Sequence, residues 1–298
     1  FAAGRNFANK LWNIGRLILG HLDAGVSRLD DLPDSELQLA DRWILARADE
    51  AIRTATEHYR KFRLNEAASA VYHFLWSDFA DWYLEAAKPR LYGKEEGAAA
   101  ARAVAAHAFD TALRMMHPVM PFITEALWQR LPHRVEGEWL MAASWPLERN
   151  TDDADATADF GMLQAAITAI RLRRATDKVS PAETRPAVAQ AAPEAVRRLL
   201  ESNASMIERL ARIDSLEFVD DSTAVVGETV LLGGRPVTFA LRRTDTDRAA
   251  EQERIRREMQ RLGELAAAQE GKLANEAFTS RAPAAVVERE REKLAALL

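Results

Sequence analysis

Apolar residues recur at helical spacing in five stretches of the first 147 residues. In the first stretch, Phe7, Leu11, Ile14 and Ile18 form a single apolar stripe. Polar caps and prolines bound the following stretches at about 35–59, 65–89, 96–116 and 121–131. Five amphipathic helices with short connections predict a helical bundle. The segment from Trp139 to Pro146 is predicted to cross it as an extended strap.

The pattern changes after an acidic, polar stretch that predicts a linker at 148–157. A helix is predicted from about Phe160 to Thr176, and another from Pro193 to about Leu210. Gly233 and Gly234 predict a hairpin turn. Short β-like runs lie at 187–191, 215–219, 223–226, 229–232 and 236–240. Residues 158–243 are therefore predicted to form a small α+β domain.

The last segment, 244–298, has a different period. Apolar residues alternate at spacings of four and three, with Gln269 as one polar interruption. The stretch 275–283 breaks the helix, and a second helix follows it. The fold class predicted from the whole pattern is mainly α: a helical bundle at 1–147, a linker, a small α+β domain and an antiparallel two-helix coiled-coil arm.

Composition limits the function. The chain has 298 residues, a formal net charge of −5 and no cysteine. Disulfides, thiolate metal sites and a cysteine nucleophile are therefore excluded. A free-standing nucleic-acid binder is expected to be basic, so any such role must depend on local patches.

Catalytic motifs are absent from the sequence. It contains no G-x-x-x-x-G-K-[ST], G-x-G-x-x-G or H-E-x-x-H pattern. His73 and His107 lie within helical patterns, which favours partly buried, hydrogen-bonded side chains over metal ligands. Asp78 and Asp81 are expected to form caps or ion pairs rather than an acid–base couple. We predict no catalytic and no metal-binding residue.

Local basicity is the remaining signal. Arg5, Asn9, Lys10, Asn13 and Arg16 fall opposite the first apolar stripe, and such side chains suit contacts to phosphates and base edges. A solvated helix face is the alternative. Two further basic patches consist of Lys88, Arg90 and Lys94, and of Arg171, Arg173, Arg174 and Lys178.

Aromatic residues offer a second, weaker signal. Trp76, Phe79, Trp82 and Trp128 could stack on unpaired bases. At helical spacing, however, we expect them to belong to the core.

Several stretches carry a family resemblance. "GRNFANKLWN" at 4–13, "DFADWYLEAAKPRL" at 78–91, "MPFITEALWQRLP" at 120–132 and "SWP" at 144–146 resemble the anticodon-binding region of class Ia aminoacyl-tRNA synthetases. "GKLANEAFTSRAPAAVVEREREKLAAL" at 271–297 resembles the C-terminal coiled coil of bacterial-type valyl-tRNA synthetases.

The resemblance implies a function. Such ligases attach valine to its tRNA with ATP, through an aminoacyl-adenylate. Their H-I-G-H-like and K-M-S-K-S-like motifs are missing here. We therefore expect a tRNA-binding C-terminal part of a longer polypeptide, inactive by itself, with ATP as cofactor of the parent only. The expected partners are tRNA and the upstream catalytic domain, and we expect a cytoplasmic monomer without membrane contact.

The resemblance also suggests site residues. Matching motifs make Arg5, Asn6, Lys10 and Asn13 candidates on the first helix, with Lys10 the first choice. Lys88 and Arg90 are candidates for the anticodon stem-loop. Candidates for the outer corner of the tRNA lie in the coiled coil: Lys272, Arg281 and Lys293.

The sequence departs from the family in two places. Glu183 and Thr184 replace the usual paired lysines, which leaves Arg185 as the basic residue of that loop. Arg242 and Arg243 stand where an apolar run is usual. A helical protein-interaction module without RNA binding is the alternative function, and a leucyl or methionyl relative is a third reading. The missing cysteines argue against an isoleucyl relative, which ends in a zinc module.

Overall fold

The polypeptide folds into two units, residues 1–241 and 242–298, in the computed structural model. Each unit is described by itself. The structure describes residues 2–22, 26–93, 96–132, 137–150, 153–220, 222, 225–242, 245–275, 280 and 283–297.

The first unit begins with the predicted bundle. Short 3₁₀ turns occur at Leu29–Asp31, Asp34–Glu36 and Leu140–Ala142. The bundle consists of α1 (Ala2–Leu19), α2 (Leu39–Arg60), α3 (Leu64–His73), a π-helical segment (Phe74–Tyr83), α4 (Leu84–Leu91), α5 (Ala98–Met116) and α6 (Pro121–Trp128). The mainly α fold class with a small sheet is confirmed.

Helix α1 packs through the stripe that the sequence predicts. Phe7, Leu11, Ile14 and Ile18 are all buried. Gly15 allows α1 to approach α6, because an added Cβ would lie 2.4 Å from the Leu127 Cδ2 atom. The opposite face of α1 is left exposed.

Helices α3 and α4 and the π segment between them form one continuous rod. Phe74, Leu75, Phe79 and Tyr83 of the π segment are buried in the bundle core. Each extra residue in a π turn rotates the following side chains relative to an α-helix. The π segment therefore sets which residues before and after it face the core.

Helix α7 (Ala154–Thr176) joins the bundle to the sheet. Its Phe160 ring stacks on Trp43 of α2, with ring centroids 4.1 Å apart. Asp153 caps it by accepting a hydrogen bond from the Ala156 amide at 2.8 Å. The helix begins inside the predicted linker at 148–157, so the last four residues of that stretch are helical. The other domain boundaries remain predictions.

The sheet has strand order β2–β1–β4–β3. Strands β1 and β2 are parallel, and the other two pairs are antiparallel. Gly233 and Gly234 form the predicted turn with φ of +57° and +76°. The strands are β1 (Ala187–Gln190), β2 (Leu216–Val219), β3 (Glu228–Leu232) and β4 (Arg235–Leu241).

Two predictions around the sheet need correction. The helix predicted from Pro193 is two helices, α8 (Glu194–Ser202) and α9 (Ala204–Ala211), which meet at Asn203. Val226, in the run predicted at 223–226, lies outside the strands, while Thr223 and Ala224 are outside the described residues.

The second unit is an antiparallel pair of helices, α10 (Asp245–Ala274) and α11 (Ala284–Leu297). Ala266 and Val287 are buried between them. At 1.5 Å per residue, α10 is about 45 Å long and α11 about 21 Å. Ile255 and Met259, at the start of the predicted seam, are consequently exposed. None of the helices in the described parts of the chain is both long and apolar enough to cross a membrane.

Candidate nucleic-acid interface

A groove of about 600 Å³ lies between α1 and the π segment. Asn6, Asn9, Lys10 and Asn13 line it from α1. Trp76, Ala80 and Asp81 line it from the π segment. Asn6, Lys10 and Asn13 occupy successive turns beside the buried stripe, so their side chains border the groove. The structure thus brings together most of the candidates predicted on α1.

Lys10 is held in the groove by three contacts. Its Nζ atom lies 2.8 Å from Asp81 Oδ1, 3.3 Å from the Trp76 carbonyl oxygen and 3.6 Å from the Trp76 ring centroid. The ammonium group is therefore already paired, and Asp81 is more than half exposed. A phosphate approaching Lys10 would have to compete with the Asp81 carboxylate.

Arg5 and Arg16 present the free positive charge of α1. Both are exposed, and within the described residues neither forms an ion pair. They share the outward face of the helix with Asn9 and Trp12. Flexible guanidinium groups on an exposed face are well suited to phosphate contacts.

Aromatic rings extend from the groove onto the surface. Tyr72 stacks on Trp76 with centroids 5.5 Å apart and planes 14° apart, and it also contacts Phe7 at 4.7 Å. Tyr72 is 41% exposed. Trp12 is also exposed, and the Arg130 guanidinium lies 5.5 Å from its ring centroid. Exposed aromatic faces beside basic side chains form a typical stacking platform for single-stranded bases.

The aromatic prediction is only partly confirmed. Phe79 and Trp128 are core residues, as expected. Trp76 and Trp82 are only half-buried. The Trp12–Arg130 pair and the exposure of Tyr72 were missed, because α6 and α1 meet only in the tertiary fold and Tyr72 fits the core spacing of its helix.

The prediction that Arg90 meets the tRNA is wrong. Arg90 is 2% exposed, and its two terminal nitrogens donate to Asp41 at 2.5 and 3.0 Å. The Tyr83 hydroxyl lies 3.0 Å from the same carboxylate, and burial raises the pKa of Tyr83. Lys88 is partly exposed but pairs with Glu85. Lys94 lies outside the described residues.

The third basic patch is also dispersed. Arg171 donates to the Leu210 carbonyl, and Arg173 pairs with Asp177. Arg174 is buried, and it donates to the carbonyl oxygens of Arg212 and Glu183, both at 2.7 Å. Arg185 is paired with Glu183. Arg171 and Arg174 hold α7 to the end of α9, Arg174 also holds the loop that follows α7, and Arg173 pairs at the end of its own helix, so these arginines do not act as one patch of free charge.

The arm lysines form a cluster around one carboxylate. Lys272 and Lys293 lie 2.9 and 2.7 Å from the oxygens of Glu290, and Gln269 also donates to Glu290. These bonds lower the pKa of Glu290 to about 2. Both lysines are half-exposed, but their charge is shared with Glu290. Arg281 lies outside the described residues.

The two aspartates match the prediction, whereas the two histidines match it only in part. Asp78 pairs with Arg47 at 2.9 Å and Asp81 pairs with Lys10, as predicted for structural carboxylates. Burial raises the pKa of Asp78. His73 is exposed, contrary to the prediction. His107 is half-buried, but within the described residues it has no hydrogen-bond partner.

Two protein-family models match parts of this chain. The model of the anticodon-binding domain of tRNA ligase matches residues 41–189, which is half of the chain. The chain belongs to this family of tRNA ligase anticodon-binding domains. The model of the valyl tRNA synthetase tRNA binding arm matches residues 247–298.

The similar curated proteins point to the same family as the match of the arm. A valine–tRNA ligase of Carboxydothermus hydrogenoformans is 40% identical over 295 residues, which is 98% of this chain and 33% of the relative. A valine–tRNA ligase of Bacillus cereus is 36% identical over 97% of this chain and 33% of its own length. The chain thus spans about a third of the length of these relatives. The predicted resemblance to valyl-tRNA synthetases is confirmed, and we set the leucyl and methionyl readings aside.

Proposed function

We propose that this chain is the tRNA-binding part of a valine–tRNA ligase. The α1 groove would receive the anticodon arm, and the α10–α11 arm would contact the outer corner of the tRNA. The observation that carries the proposal is the groove with its row of asparagines. The neighbouring outward face of α1 adds Arg5 and Arg16, which form no ion pair within the described residues, and the exposed rings of Trp12 and Tyr72 lie nearby. Such a surface combines phosphate, base-edge and stacking contacts.

The two arginines provide the direct test. We expect the double variant Arg5→Ala/Arg16→Ala to bind valine tRNA more weakly. Its log–log salt slope should fall by about 0.9 for each phosphate that the variant no longer neutralises. Filter binding across a salt series measures both quantities. The matched control is Arg60→Ala, since Arg60 is exposed on α2 and, within the described residues, forms no ion pair. Equal slopes for the double variant and the wild type would refute this assignment.

The activity of the longer protein is part of the same proposal. In it, an upstream domain would attach valine to the tRNA with ATP, and this chain would position the tRNA. We propose that the chain alone is a monomer without this activity. Valine-dependent ATP–pyrophosphate exchange above background by the isolated chain would contradict the proposal.

A protein-interaction module is the second candidate. Two observations favour it: the pairing of Lys88, Lys272 and Lys293 with carboxylates, and the exposed Ile255 and Met259. Immobilised protein incubated with total tRNA at low salt separates the two functions. Enrichment of valine acceptors supports the tRNA-binding proposal, whereas no enrichment supports the module.

A further inference from the structure

A second concave site lies apart from the groove and shares none of its residues. It is a partly enclosed cavity of about 210 Å³ between α5, the end of α6 and residues 27–30. Its polar lining includes Arg28, Asp30, His107, Asp110 and Arg114. It is smaller than pockets for drug-sized ligands, which makes it suitable for a single planar ring system.

His107 is a polar group of this cavity that has no hydrogen-bond partner among the described residues. Its imidazole is half-buried, and no hydrogen bond to it exists within the part of the chain that the structure describes. Burial lowers the pKa of His107, and the nearby Arg149 lowers it further. Asp30, Asp49 and Asp110 act in the opposite direction. The neutral ring then offers one donor and one acceptor to a ligand.

Asp110 supplies a fixed acceptor beside His107. Its Oδ1 atom accepts from Trp128 Nε1 at 2.6 Å, and its Oδ2 atom accepts from Arg114 Nε at 2.8 Å. Each carboxylate oxygen can accept a second hydrogen bond. The Trp128 ring is buried, so it orients the carboxylate without itself being available for stacking.

Arg28 supplies positive charge at the mouth of the cavity. It is exposed, and among the described residues its guanidinium forms no ion pair. The neighbouring Asp30 carboxylate is bound to Arg149. An unpaired guanidinium beside a cavity that offers a donor, an acceptor and a carboxylate matches a ligand with a polar heterocycle and a phosphate.

We propose that this cavity binds one nucleotide, with the base between α5 and α6 and the phosphate at Arg28. The Asp110 carboxylate would accept from the exocyclic amino group of adenine, cytosine or guanine, and uracil has no such group. This inference goes beyond the proposed function, because it concerns residues outside the groove and its first test uses mononucleotides alone.

Titration of the full chain with the four nucleoside 5′-monophosphates tests the proposal. The indole N–H resonance of Trp128 reports the site, because its donor is bonded to Asp110. We expect saturable shifts with AMP, CMP and GMP, and weaker binding of UMP. Arg28→Ala should weaken binding by about tenfold, as loss of a charge-assisted bond does. Arg235→Ala, an exposed arginine of β4, is the matched control.

Several outcomes decide the matter. No saturable Trp128 shift with any mononucleotide, equal affinities in wild type and Arg28→Ala, or the same shifts with inorganic phosphate alone would each overturn the proposal. His107→Gln keeps a donor and an acceptor, so nucleotide binding should survive in it better than in His107→Phe. Addition of tRNA then identifies the source: displacement of the mononucleotide indicates an RNA nucleotide, and persistence indicates a free one.

Discussion

Arg90 shows why the residue type alone misleads at the scale of one side chain. It follows a partly exposed lysine in a basic stretch, yet its guanidinium is buried against Asp41 and Tyr83. Removing one partner of a buried ion pair leaves the other charge uncompensated. The pair is therefore a structural requirement of α2 and α4, and it leaves no charge for a ligand.

Arg90→Ala should lower the free energy of unfolding by about 3–5 kcal/mol. Urea denaturation followed by tryptophan fluorescence measures the change. Arg60→Ala should stay within about 0.5 kcal/mol of the wild type, as is usual for exposed positions. An Arg90→Ala chain that is as stable as the wild type would show that the buried pair does not form.

Lys10 differs from Arg90 because its charge lies in the groove, although it is paired with Asp81. If Lys10 contacts a phosphate, Asp81→Asn should strengthen tRNA binding, since the competing carboxylate is gone. The log–log salt dependence should also become steeper, by about 0.9 in the magnitude of its slope. Lys10→Ala should weaken binding. Filter binding of both variants over a salt series measures these changes. Unchanged binding in Asp81→Asn would assign Lys10 to holding α1 against the π segment.

At the scale of elements, the arm is held in register by one polar cluster. Glu290 sits in the interface between α10 and α11 and accepts hydrogen bonds from Lys272, Lys293 and Gln269. Since a single buried polar group can fix helix register, this cluster aligns the short α11 with the C-terminal half of α10.

Glu290 gives the arm a defined pH dependence. Its pKa in the folded arm is about 2, below the ordinary value of 4.5. The stabilisation is therefore complete above about pH 4.5 and is lost as the pH falls toward 2. Hydrogen exchange of α10 and α11, corrected for intrinsic rates, should show greater protection in the wild type than in Glu290→Gln at pH 7. If the difference in hydrogen-exchange protection between the wild type and Glu290→Gln is as large at pH 3 as at pH 7, this assignment is contradicted.

The elements themselves were predictable to different degrees. The stripe of α1, the Gly233–Gly234 hairpin and the arm follow from local spacing and turn chemistry. The π segment does not, because its apolar spacing also fits an α-helix and tertiary packing selects the wider turn. The same holds for the groove. Local spacing predicted the residues on its α1 side, but the contacts of Lys10 with Asp81 and Trp76 depend on tertiary packing and were not predicted.

At the scale of the molecule, the main hydrophobic core of the described residues lies within 7–241 and includes no described residue of the arm. All seven tryptophans, the last of which is Trp145, also precede the arm. Tryptophan fluorescence therefore reports on the first unit alone. Helix α7 belongs to both the bundle and the sheet, so we expect these two parts to unfold together.

A chain that ends after Arg242 should keep its midpoint of thermal unfolding, as measured by tryptophan fluorescence, because no residue of the main core is removed. Its affinity for valine tRNA should fall by about 10²-fold, the lower range of the gain from two linked binding sites. Undiminished affinity would show that the arm does not contact the tRNA. A lower midpoint would show that the arm supports the first unit.

Five of the seven lysines in the sequence pair with a carboxylate in the described structure: Lys10, Lys61, Lys88, Lys272 and Lys293. Together with a net charge of −5, this pairing weakens the sequence-independent attraction to any polyanion. In a cell that contains much ribosomal RNA and DNA, the protein would therefore bind non-cognate nucleic acids only weakly and briefly. Its occupancy would depend on shape and on a few free arginines, which favours discrimination among competitors over raw affinity.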